Sequence, residues 1–81
     1  MKLRVKFFSI YKDAAKTECI TIEEPEGTTV GELFQDLLRK YPSLRNYRKS
    51  ALLAVNKEFS ELDFELTDGD VVAVMPPVGG G

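Results

Sequence analysis

One amphipathic helix limits what this chain can become. Thr29 followed by Glu32 is a capping box, in which each residue's side chain satisfies the other's free backbone N–H. Val30, Leu33, Phe34, Leu37, Leu38 and Tyr41 then recur at helical spacing and form one apolar stripe. Arg39 and Lys40 suit the negative end of the helix dipole, and Pro42 stops the run. The aromatic residues of the stripe read as packing rather than as ligand contacts. A helix of about three turns needs another layer to cover that stripe.

The rest of the chain supplies the cover as strands. Lys2 to Phe7 alternates polar and apolar, turning Leu3, Val5 and Phe7 toward a core, and Phe8 breaks the pattern. Ser9 to Thr17 reads as a polar loop with a helical turn around Asp13-Ala14-Ala15. Glu18 to Glu23 reads as a second strand with Ile20 and Ile22 inward and Cys19 on the more exposed face. Two strands this close in sequence imply an antiparallel hairpin. Glu24 to Thr28 is a turn. Past the helix, Ser43 to Lys49 reads as an irregular basic link holding Arg45, Arg48 and Lys49, solvated rather than partner-bound.

Ala51 to Val55 is continuously apolar, as in a strand covered on both faces. Asn56-Lys57 turns into a short edge strand, Glu58-Phe59-Ser60, and Leu62, Phe64 and Leu66 form an irregular apolar cluster. Thr67-Asp68-Gly69-Asp70 is a turn before a last, central strand, Val71 to Met75. The expected fold is therefore α+β: a mixed four- to five-stranded sheet with one main helix across one face.

Composition removes several classes of chemistry. The 81 residues include no His and one Cys, so zinc, iron–sulfur and disulfide frameworks within one chain are excluded, as is a His-activated nucleophile. Eleven basic residues against thirteen acidic ones, interspersed for a net charge of −2, do not make a nucleic-acid surface. No apolar run approaches a membrane span and no signal peptide is evident, so a cytoplasmic setting is expected. Cys19 has no CxxC neighbour and reads as an inert strand residue.

What remains is the end of the chain, Met75-Pro76-Pro77-Val78-Gly79-Gly80-Gly81. The prolines fix φ and cannot re-enter a sheet, which divides the chain into a domain, 1–77, and a tail, 78–81. Gly79 to Gly81 carries no Cβ, so another protein's backbone can approach it closely, and Val78 can anchor at the mouth of a narrow channel. Terminal glycines are also ordinary in frayed ends, but these directly follow Pro-Pro-Val.

Leu66-Thr67-Asp68-Gly69-Asp70, the valine-rich strand and Pro76-Pro77-Val78-Gly79-Gly80-Gly81, with Phe7-Phe8 and Ala54-Val55-Asn56 earlier, resemble the MoaD family. These are the small sulfur-carrying subunits of molybdopterin synthase, within the ubiquitin-like β-grasp MoaD/ThiS superfamily. The loop after the first strand departs from the family's Arg-Glu followed by Gly, having Lys12-Asp13 and Lys16 instead. Lys lacks the planar fork of Arg, and Lys16 in place of Gly is expected to change the loop's backbone.

The resemblance implies a carrier whose reactive group is the Gly81 carboxylate, with no bound cofactor. A MoeB-like enzyme uses ATP to adenylate Gly81, and a sulfur donor then leaves a covalent sulfur there as a thiocarboxylate. A MoaE-like large subunit takes up Pro76, Pro77, Val78, Gly79, Gly80 and Gly81, in a heterotetramer. Phe59, Met75 and Phe7 are candidates for one apolar contact patch, although strand alternation directs Phe7 to the core, and Lys12 is a candidate charge contact. Alternatives of the same fold are a ubiquitin-like modifier joined to proteins through Gly81, or a sulfur carrier for thiamine, cysteine or a tungsten–pterin cofactor. A plain interaction domain with an inert tail is the remaining alternative.

Overall fold

A computed structural model describes residues 1–77 of the chain. Its elements are β1 (Lys2–Phe7), α1 (Ile10–Ala15), β2 (Cys19–Glu23), α2 (Val30–Lys40), a 3₁₀ segment (Pro42–Ser50), β3 (Leu52–Val55), β4 (Glu58–Phe59) and β5 (Val71–Met75). The strands form one mixed sheet in the order β2-β1-β5-β3-β4, with β1 and β5 parallel and the other pairs antiparallel. The uniformly apolar last strand is central, as its composition predicts.

The helix stripe does what its spacing requires. Val30, Leu33, Phe34, Leu37 and Leu38 are buried, and they join Leu3, Val5, Phe7, Leu53, Val72 and Val74 from the sheet in one core. Burying each such side chain contributes roughly 1.5–3 kcal/mol, so this layer dominates the fold's stability. Phe7 and Tyr41 meet edge-to-face at 5.7 Å, closing the core at the C-terminal end of α2. The capping box forms as read: the Thr29 N–H donates to Glu32 Oε1 at 2.9 Å, and the Glu32 N–H to Thr29 Oγ1 at 3.2 Å.

Three stretches differ from their sequence reading. Ser9 to Thr17 contains a full short helix, α1, because Tyr11 and Ala15 reach the core from one face of it. The link after α2 is a 3₁₀ segment rather than an irregular one. Leu44 is buried beneath it, and the Tyr11 hydroxyl donates to the Tyr47 carbonyl at 2.9 Å. Of the cluster after β4, only Leu66 is buried, while Leu62 and Phe64 face solvent. Their backbone is held from the other side: the Val30 and Gly31 N–H groups donate to the Phe64 and Leu62 carbonyls, at 2.9 and 2.8 Å. Residues 61–65 therefore lie as a strap across the start of α2.

The Asp-Gly-Asp turn knots one end of the sheet. Asp68 Oδ1 accepts from the Lys2 N–H, Asp70 Oδ1 from the Asn56 side-chain amide, and Asp70 Oδ2 from the Thr67 N–H. Gly69, at φ 89, supplies the left-handed residue the turn needs. The Asn56-Lys57 turn has both residues at positive φ, 50 and 74, the primed hairpin geometry that suits a twisted strand pair.

Candidate functional site

Among the described residues no helix covers the sheet's other face, and strand alternation decides what it displays. Strand register lines up Cys19, Lys6, Ala73, Ala54 and Phe59 as one row across all five strands. The two alanines at the middle of that row have almost no side chain to raise above the sheet. They floor a groove of about 550 Å³, and Phe8, Phe59 and Met75 stand around it with Lys6 and Lys57. Phe59 is 64% exposed and Phe8 45%, so two aromatic side chains stand largely in water around a small-residue floor. Exposed aromatics beside a concavity are a recurrent feature of contact surfaces.

The groove carries positive charge. Among the described residues, Lys6 and Lys57 are the ionisable ones that line it, and Arg4 is exposed further along β1. A matching surface would present an apolar knob within an acidic rim.

The tail starts at this groove. Met75 pairs with Leu52 as the last rung of the β3–β5 ladder, and the Val74 carbonyl accepts from the Phe8 N–H at 3.0 Å. Pro76 and Pro77 have no N–H to continue the ladder, so the chain leaves the sheet beside Phe8 and Met75. Whatever grips the groove is thereby adjacent to the residues that lead into the tail. Val78, Gly79, Gly80 and Gly81 lie outside the described residues.

The structure brings together Phe59 and Met75 as expected, but not Phe7. At 2% exposed, Phe7 is core, paired with Val74 and packed on Tyr41, and it is Phe8 that lines the groove. The period-2 pattern contains this outcome, since Phe8 follows Lys2, Arg4 and Lys6 on the open face. Lys12 sits apart, on α1 near Phe8, with its Nζ 3.8 Å from Glu18. Neither Ala54 nor Ala73 is among the site residues expected from the sequence. Two alanines inside otherwise valine- and leucine-rich strands are the signal for a floor. Lys16 has φ 60, so the left-handed conformation natural to glycine is kept there despite the side chain.

Cys19 is half-buried, with its Sγ 3.6 Å from Arg4 Nη2. Among the described residues no His, Cys, Asp and Glu side chains cluster to hold a metal ion, and no helix is long and apolar enough to cross a membrane.

Comparison with known proteins accords with this geometry. The model of the ThiS family matches residues 5–81. The chain belongs to the ThiS family. A Mycobacterium tuberculosis relative, named molybdopterin synthase sulfur carrier subunit, is 38% identical over 82 residues that span 100% of this chain and 99% of its own. A Pyrococcus furiosus protein, assigned provisionally as molybdopterin converting factor subunit 1, superposes with a TM-score of 0.89 at 31% identity, over 96% of this chain and 99% of that one. The complex of subunits 1 and 2 of the Helicobacter pylori molybdopterin-converting factor contains a chain with a TM-score of 0.72 at 29% identity, each chain covered in full. The fold of this ThiS-family member is thus the ubiquitin-like β-grasp, and the MoaD resemblance read from its tail agrees with how these relatives are named.

Proposed function

We propose that this chain is the sulfur-carrier small subunit of molybdopterin synthase, with the Gly81 carboxylate as the group that carries sulfur. The observation behind this reading is the meeting, at Met75, of an apolar groove with the start of a Pro-Pro-Val-Gly-Gly-Gly tail. The naming of the full-length M. tuberculosis relative supports it.

The chemistry follows from what a carboxylate lacks. Ionised at neutral pH, with a usual pKa of about 3.3–3.7, it offers no leaving group to a sulfur nucleophile. A MoeB-like enzyme transfers AMP from ATP to the Gly81 carboxylate and releases pyrophosphate. Sulfide sulfur from a donor then attacks the carbonyl carbon. The C–S bond forms, the C–O bond to AMP breaks, and AMP leaves with the electron pair, so Gly81 ends as a thiocarboxylate. A MoaE-like large subunit seats on the groove and receives Pro76 to Gly81, and the sulfur passes to a pterin precursor as part of its dithiolene. Water supplies the oxygen that restores the carboxylate.

In this division of labour the carrier supplies a grip and a deliverable atom, and its partners supply the acids, bases and nucleotide site. The absence of His from the sequence is consistent with that role.

Intact mass spectrometry after incubation with ATP, a MoeB-like enzyme and a sulfide donor tests the reading. Replacement of one oxygen by sulfur is expected, and it should vanish when Gly81 is deleted. An unchanged mass, with the activating enzyme working on a known carrier, would overturn it. A glycine remnant linked to lysines of other proteins would instead favour the modifier alternative.

A further inference from the structure

A second surface is organised by charge. Residues 39–49 hold five basic side chains and no acidic one, whereas residues 58–65 hold four acidic and no basic one. The fold brings two of those basic residues and one of the acidic ones to a single hollow of about 330 Å³. Arg48 and Lys49 come from the 3₁₀ segment, Glu61 and Leu62 from the strap, with Phe34 and Phe59 also lining it. Among the described residues, Arg48, Lys49 and Glu61 make no ion pair, although they share this hollow. Leu62 is 60% exposed and Phe59 64%.

These apolar side chains stand on a fixed backbone. The Leu62 carbonyl accepts from the Gly31 N–H at 2.8 Å, and a Cβ added to Gly31 would lie 3.1 Å from that oxygen. The absence of a side chain at Gly31 thus lets the strap come this close to α2. Little ordering remains to be done when Leu62 meets a partner, which lowers the cost of association.

We infer that this face is a two-fold contact between two copies of the chain. An isologous interface needs one patch that complements itself on rotation. A basic flank and an acidic flank beside exposed apolar side chains meet that condition. Rotation lays Arg48 and Lys49 of one copy against Glu61 and Asp63 of the other, with Leu62 and Phe59 near the axis. A partner of one charge sign would be attracted by one flank and repelled by the other. Phe59 also lines the groove where the tail starts, so self-association and partner docking exclude each other there. This inference rests on charge and exposure alone and stands apart from the carrier reading.

Sedimentation equilibrium of the whole chain, at low and high salt and up to on the order of 1 mM protein, tests it. A dimer is expected at low salt, weakened about tenfold or more at high salt. The variants Arg48→Glu/Lys49→Glu and Glu61→Lys/Asp63→Lys alter only exposed side chains, and circular dichroism checks that each remains folded. Each alone should lose self-association, and an equimolar mixture should recover it as a heterodimer. A monomer at every concentration in low salt would overturn the inference. So would self-association indifferent to the reversals, or a mixture no better associated than its components.

Discussion

The two faces of the sheet are built from the same strands and do opposite things. On β1, Leu3, Val5 and Phe7 are at most 2% exposed against α2, while Lys2, Arg4 and Lys6 are exposed on the other side. On β5, Val72 and Val74 are buried, and Val71, Ala73 and Met75 are half-buried on the open face. The closed face fills its volume with large branched and aromatic side chains and meets a helix. The open face keeps its middle low with alanines and its margin high with Phe8, Phe59 and Met75. Stability is thereby concentrated on one face and the exposed aromatic side chains on the other, separated by single steps along each strand.

The adjacent pair Phe7 and Phe8 gives the sharpest way to break this contrast. Phe7→Ala should cost about 3–5 kcal/mol of stability in denaturant unfolding, because it empties a core site against Tyr41. Whatever remains folded should bind a MoaE-like subunit with unchanged affinity. Phe8→Ala should leave stability within about 0.5–1 kcal/mol yet weaken that binding about tenfold or more in calorimetric titration. If both variants lost stability equally, or if folded Phe7→Ala lost affinity, the faces would not be separable as described.

The closed face was far more legible in the sequence than the open one, for a physical reason. Burial imposes a period, so Leu3, Val5, Phe7 and the α2 stripe announce themselves through spacing, as Thr29 and Glu32 do through the capping box. Exposure imposes none. Phe8 reads as a break in an alternation, and no spacing marks Ala54 and Ala73. Only strand register, which is a long-range property, shows the two alanines side by side between Lys6 and Phe59. The same limit applied to Leu62 and Phe64, whose outward direction depends on carbonyls bonded to the start of α2. The 3₁₀ segment is hidden because its one buried side chain, Leu44, lies beyond Pro42, which stops the α2 pattern, and its hold on Tyr11 is a long-range contact.

A smaller effect sharpens the contrast at the margin of the closed face. Glu24, 8% exposed at the end of β2, has its carboxyl raised to about 7, first by burial and then by a hydrogen bond to Asp36 and that residue's negative charge. Arg39 opposes the shift, and Glu32 adds to it. A carboxyl whose folded pKa lies above its unfolded value stabilises the fold fully below the unfolded pKa, near 4.5, and loses that contribution as pH rises through about 7. Stability should therefore fall by at most about 3 kcal/mol between those limits. Glu24→Gln should flatten that slope in unfolding experiments across the range and leave groove binding unaffected. An unchanged slope would show that Glu24 does not titrate with folding.

The smallest expected effect concerns the helix cap. The four N–H groups at the start of α2 are divided among separate acceptors. The Thr29 N–H donates to Glu32 Oε1, Val30 and Gly31 donate to the strap, and only the Glu32 N–H depends on Thr29 Oγ1. Thr29→Ala therefore frees one donor in an exposed position, where water can replace the lost bond. Thermal unfolding should show a loss near the low end of the usual range for such caps, about 0.5–1 kcal/mol, with Thr29→Ser close to the parent. The strap's hydrogen bonds do not involve the Thr29 side chain, so self-association through Leu62 should be unchanged. A loss above about 2 kcal/mol, accompanied by weaker self-association, would mean that the cap and the strap move as one unit. The closed face and the charged face would then be energetically coupled rather than merely adjacent.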